Sequence, residues 1–322
     1  MARLIMALLA LLLVGAVPPG ATFTDYAGDF DRFEATTQDM PEPARLAAFH
    51  AKFDRLYPGL YAAKDPAALD RRIAKALADF PALRERYRDT VRRFPLEFDS
   101  AITAFRRVFP DFVPPMPVIL AHELGQRDGG SDIVGGRKVM LFGADVIAQI
   151  HNDDSLQPFL DHELFHLEHA RHFADCDQAW CPLWQEGLAT YAASVMTPGA
   201  SDHQLLLDQP TLIRAPTDAH WAAALCWAAR NFDVTDDATI GLGFYANHHP
   251  PDLPARFGYY VGMRVAALAA RGRGLPAIAR LDDAAARPVV VQALAKLIAE
   301  AHAPCSAPAA HAPATHIAPR PA

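Results

Sequence analysis

A chain of 322 residues, 51% hydrophobic and 21% charged, can bury a sizeable core as one large domain or two closely packed ones. Its net charge of −7 argues against a nucleic-acid partner. The one basic cluster, Arg84, Arg86, Arg88, Arg92 and Arg93, alternates with Glu85 and Asp89 and reads as a solvated helix face.

Residues 1–21 carry Arg3, an apolar run from Leu4 to Val17, and small residues near Ala16 and Ala21, the pattern of a secretory signal peptide. The run is short and is followed at once by Pro18-Pro19-Gly20, so no stable membrane span is expected after cleavage. The chain is therefore expected to be exported, periplasmic or secreted. Residues 22–114 read as an N-terminal helical region, with helices over Pro43–Leu56, Asp65–Phe80, Leu83–Phe94 and Leu96–Phe109. Past Pro114-Pro115 the pattern changes. Pro117–Ala121 and Lys138–Gly143 read as strands, with Gly129-Gly130 and Gly135-Gly136 as punctuation between them.

The stretch that carries chemistry is Asp161-His162-Glu163-Leu164-Phe165-His166, which reads HExxH. Two histidines four apart leave one face of a helix about 6 Å apart along its axis, which suits two corners of a tetrahedral zinc site. Glu163 is rotated aside, where a general base for water belongs. The flanking Phe159, Leu160, Leu164, Phe165 and Leu167 predict a buried helix able to hold ligands rigidly. Zinc bound by two histidines needs a third protein ligand, and Glu186 in Trp184-Gln185-Glu186-Gly187 offers one from a second helix. Gly187 would let two helices approach closely beside it. His172, six residues after His166, is the competing third ligand, with Met196 as a candidate Met-turn. That arrangement needs a helix-breaking glycine at position 169, which here is His. His169 itself falls near the ligand face, or interacts as a polar residue with the end of its helix. Cys176 and Cys181 bracket the link between the two helices, and a disulfide there would stiffen the approach of Glu186. The other two cysteines are Cys226 and Cys305.

HELFH followed by WQEGLATY resembles the gluzincin zinc metallopeptidases, and more particularly the bacterial predicted Zn-dependent proteases with a peptidase-MA-like domain. The likeness is sharp over residues 117–196 and general as far as Gly258-Tyr259-Tyr260. It implies an α+β, mostly helical fold: a zinc-helix core over 115–200 with a small preceding sheet, flanked by helical N- and C-terminal parts. It also implies that a strand edge pairs with an extended substrate, for which Lys138–Gly143 is the candidate. A tyrosine on a later helix would donate to the oxyanion, and Tyr259 or Tyr260 is placed to do so.

Residues 201–301 read as helical again, over Asp218–Asn231, Arg256–Arg271, Leu275–Leu281 and Arg287–Glu300. Asn247-His248-His249 lies in a loop that could approach the cleft. Residues 302–322, rich in Ala, Pro and His, read as a disordered tail pinned at Cys305. No phosphate-cradling loop, nucleophile elbow or internal repeat is present. The reading is an exported Zn²⁺ metallopeptidase acting on a peptide or protein substrate. His162, His166 and Glu186 are its metal ligands, and Glu163 and one of Tyr259 or Tyr260 are its catalytic groups. The rival readings are a binding or chaperone-like protein with a structural zinc site, and a zinc amidase or esterase. Oligomeric state is not legible.

Overall fold

The computed structural model of the protein describes residues 23–151, 154–174 and 176–309. The expected signal peptide and the tail from residue 310 lie outside them. The described residues form a mostly helical α+β fold with one small sheet. No described helix is long and apolar enough to cross a membrane.

After a short strand β1 (Phe23–Asp25), helices α1 (Ala27–Thr37) and α2 (Glu42–Leu56) pack on α3, which runs unbroken from Pro66 to Phe105. The three helices expected over this stretch are one. Asp65 caps its start by accepting from the Ala68 amide at 3.0 Å. Pro81 and Pro95 sit inside it, each removing one helical hydrogen bond at a cost of about 3 kcal/mol. A continuous buried stripe outweighs them: Leu69, Ile73, Leu77, Phe80, Tyr87, Phe94, Phe98 and Phe105 are all buried. Each such side chain contributes about 1.5–3 kcal/mol when removed from water. The stripe closes an aromatic core with Phe30, Phe33, Phe49 and Phe53, in which His122 stacks on Phe30 at 3.5 Å between centroids.

The sheet holds β1, β2 (Val118–Ala121), β3 (Gly129–Val134) and β4 (Arg137–Gly143) in the order β1-β2-β4-β3. β2 is buried at every position and pairs in parallel with both β1 and β4, as expected of a strand covered on both faces. β4 pairs with β2 on one side and antiparallel with β3 on the other, so it has no free edge. Lys138–Gly143 is therefore not the sheet edge expected of it; β3 is one of the two edges. Its two glycines, read as loop punctuation, are strand residues paired with Phe142 and Leu141.

From β4 the chain enters α4 (Ala144–Ile150), then α5 (Leu156–His169) and α6 (Trp180–Met196). Met196 ends α6 instead of forming a separate turn. The expected helix over Asp218–Asn231 is two, α7 (Arg214–Ala219) and α8 (Trp221–Arg230), which meet at His220. A further helix, α9 (Asp237–Phe244), was not anticipated. Then come α10 (Phe257–Ala269), α11 (Leu275–Ala279) and α12 (Asp283–Glu300), the last starting earlier than expected because Asp282 caps Ala285 at 2.8 Å. α10 lies across α6, and Cys226 of α8 is disulfide-bonded to Cys305, which fixes the chain beyond α12.

Candidate functional site

Helix α5 presents His162 and His166 on successive turns, with their Nε2 atoms 3.0 Å apart. The Glu186 Oε2 atom, delivered by α6, lies 3.3 Å from each of them. A zinc ion bound tetrahedrally at 2.0–2.1 Å has ligand atoms about 3.3 Å apart, so the spacing and the His₂Glu donor set both fit it. Among the described residues these three form the one cluster of His, Cys, Asp and Glu able to hold a metal ion. The link between the two helices is closed by the Cys176–Cys181 disulfide, with Cα atoms 6.1 Å apart. Close approach of α6 to α10 depends on glycine: a Cβ on Gly187 would lie 2.1 Å from the Gly262 carbonyl carbon.

The electrostatics of the metal-free triad are those of a tightly coupled pair. Burial opposes the Glu186 charge, yet His166 and the hydrogen bonds from both imidazoles hold its carboxyl well below the usual carboxylate range. Burial likewise opposes the His166 charge, and the Glu186 carboxylate overrides it, raising His166 to about 9. Burial pushes His162 down.

Glu163 stands apart from the triad and faces the sheet. Burial pushes its carboxyl up to about 8, with Asp128 and Glu186 adding to the rise and His166 opposing it. Gly129 of the edge strand packs directly against it. A Cβ there would sit 2.9 Å from Glu163 Cδ and 3.0 Å from Phe159 Cζ. β3 therefore reaches the carboxylate only because it has no side chain at that point. A cleft of about 660 Å³ opens here, lined by Gly129, Gly130 and Ser131 on one side and by His162, Glu163, His166 and Glu186 at its base.

The two tyrosines part company. Tyr259 lines the cleft with its ring 6.3 Å from that of His162. Burial and then the nearby Glu186 push its phenol up, so it keeps its proton and remains a donor. The Tyr260 hydroxyl donates to Asp218 Oδ1 at 2.9 Å and accepts from Arg264 at 2.9 Å, outside the cleft. His172 lies 3.7 Å from Glu168 and does not join the triad. His169 is sandwiched between Phe165 and Phe173, at 5.6 and 4.9 Å between centroids. Burial pushes its pKa down to about 3, so it is neutral and bears no charge toward the helix end. His248 and His249 bond locally and are exposed, and do not themselves line the cleft, although Tyr245 and Ala246 just before them do.

Three cleft components were not anticipated. One is β3 itself, whose opening Gly-Gly reads as turn punctuation and carries no strand signal. Another is the segment Gln204–Leu206, which is anchored across the cleft by a hydrogen bond from Gln204 Nε2 to the Asp154 carbonyl at 3.0 Å. The third is Arg256, noted only as a helix start, whose guanidinium lies 4.2 Å from the Tyr259 ring centre. No sequence pattern marks the last two, because tertiary packing alone brings them to the triad. The chain matches no family model, no curated protein and no solved structure.

Proposed function

We propose that the protein is a zinc-dependent hydrolase of the gluzincin kind that cleaves peptide bonds, with His162, His166 and Glu186 as the metal ligands. The observation that carries this reading is the convergence of the three ligand atoms at 3.0–3.3 Å, with Glu163 beside them and outside the set. When bound, zinc supplies a Lewis acid that makes water a competent nucleophile near neutral pH. The remaining steps belong to the chain. Glu163 takes the proton of the attacking water and returns it to the leaving nitrogen. A carboxyl lifted by burial is suited to both halves of that exchange near neutral pH. Tyr259, still protonated, donates a hydrogen bond to the oxygen that gains charge as the carbonyl is attacked. The free edge of β3 offers backbone donors and acceptors to an extended peptide. The two disulfides support an exported protein, since such bonds persist in oxidising compartments.

The test is a digest of an unbiased peptide library by wild type, Glu163→Gln and a chelated sample, with metal content measured in parallel. Glu163→Gln is expected to keep stoichiometric zinc and to lose about 10²–10⁴-fold in turnover. A zinc-loaded wild type that cleaves no more than Glu163→Gln would return the protein to the binding reading.

A further inference from the structure

Of the cations that line the cleft, Arg127 is spent, since its guanidinium pairs with Glu123 at 3.0 Å and with Asp132 at 2.5 Å. Lys138 is exposed. Arg256 is different. It is half-buried against the Tyr259 ring, and its Nη1 donates to the Gln209 carbonyl at 3.2 Å. No carboxylate of the described residues lies within ion-pair distance of it. The two acids whose charges act on it most, Asp128 and Glu186, are already committed. Asp128 bonds the His151 imidazole at 3.2 Å and accepts from the Gly129 amide at 3.1 Å. Glu186 is held by the two histidines. A guanidinium carries five donors in a fork that matches a carboxylate. The Gln209 carbonyl and the Tyr259 hydroxyl engage that of Arg256, and no acid among the described residues pairs with it.

Two further observations place a positive potential at this spot. Arg256 is the N-cap residue immediately before α10, so the positive end of that 13-residue helix adds to its charge. Its backbone is left-handed, at φ 61°, a conformation that costs a non-glycine residue on the order of 1 kcal/mol or more. The side chain of this N-cap residue lines the cleft.

We propose that Arg256 recognises a carboxylate on the substrate, so that the protein selects peptides presenting one at this wall of the cleft. The carboxylate is either the chain terminus or an acidic side chain. The proposal rests on the peptidase reading for the nature of the substrate, but it is tested by binding, which does not require turnover.

Three probes suffice: acetyl-trialanine with a free carboxylate, its C-terminal amide, and an acetylated tripeptide amide with one glutamate. Each is titrated calorimetrically into the full-length Glu163→Gln protein, with and without zinc, and again in Arg256→Gln, Arg256→Lys and Lys138→Gln versions of it. One or both acidic probes are expected to bind about 10- to 100-fold more tightly than the neutral amide, as a charge-assisted bidentate contact provides. Whichever acidic probe shows the preference identifies the source. Arg256→Gln is expected to abolish it, Arg256→Lys to keep part of it, and Lys138→Gln to leave it intact. Equal affinity for all three probes, or no measurable binding of either acid, overturns the proposal whether or not the Arg256 variants fold. So does a preference that survives Arg256→Gln and vanishes on removing zinc, or one that follows Lys138. A wild type that cleaves nothing while this preference persists would remove the peptidase reading and leave the carboxylate site standing.

Discussion

Gly187 and Gly262 meet face to face where α6 crosses α10, so closely that a methyl group on either would overlap the other's backbone. The contact joins the two halves of the site, because Glu186 precedes one glycine and Tyr259 lies one turn before the other. In an open helix interior, alanine for glycine gains up to about 1 kcal/mol. Here Gly187→Ala is expected to destabilise the protein by about 1–3 kcal/mol, the usual result of overpacking, and to weaken zinc binding by displacing Glu186. Thermal denaturation with and without zinc reads both effects. A more stable Gly187→Ala protein would contradict the closeness of the crossing.

Zinc content separates the two candidate third ligands. Glu186→Ala should purify with little or no metal, whereas His172→Ala, whose nearest acid is Glu168 and not the triad, should retain it in full. The reverse result would assign the metal to a different set of ligands.

The tyrosines give unequal effects. Tyr259→Phe removes the only phenol donor of the pair that faces the cleft and is expected to lower kcat by on the order of 10²-fold with little change in KM. Tyr260→Phe breaks the contacts to Asp218 and Arg264 and is expected to cost about 1 kcal/mol of stability while leaving kcat near wild type. Comparable losses of kcat in both variants would argue for a disturbed helix instead of a lost donor.

Away from the triad, His122 and Glu123 make stability depend on pH in opposite senses. His122 accepts the Leu124 amide on Nδ1 at 3.1 Å, which requires a neutral ring, and burial pushes its pKa down to about 4. Its contribution is complete above the unfolded value of about 6.5 and is lost as pH falls through 4. Burial pushes Glu123 up to about 7, with Asp145 adding to the rise and Arg127 opposing it. Its contribution is complete below the ordinary carboxylate pKa and is lost as pH rises through 7. Each reaches about 3 kcal/mol at its limit, so the two largely cancel between pH 4.5 and 6.5. Denaturant titrations of the wild type and of each variant across that window separate the two contributions. Glu123→Gln should become less stable toward acid, and His122→Phe less stable toward neutrality. Parallel slopes in the two variants would refute the opposition.

The ligand set was legible because each part depends on local geometry. The i, i+4 spacing of His162 and His166 fixes one helical face, and a short bridged link brings Glu186 back to it. The flanks were less so. Leucine and phenylalanine at helical spacing predict helices on either side of Pro81 and Pro95, but not that one buried face carries the helix through both prolines. Gly129 looks like a turn residue; its place in a strand comes from pairing with Phe142, and the Glu163 carboxylate packed against it explains the missing side chain. Arg256 carries no pattern at all, since its meaning comes from what lies across the cleft.

The parallel pairing of Phe23 with Val118 has a consequence in time. All of α1, α2 and α3 lies between the two strands, so β1 cannot join the sheet until that helical stretch has formed and folded back. The entropy of closing so long a loop grows only slowly with its length, by about 0.6 kcal/mol per doubling, and bears little on the finished protein's stability. It bears instead on how fast the sheet is completed, because contacts between distant segments must wait for that closure. His162, His166 and Glu186, by contrast, lie within one helix pair close in sequence, so the candidate metal site has a short path to assembly while the outermost strand has a long one.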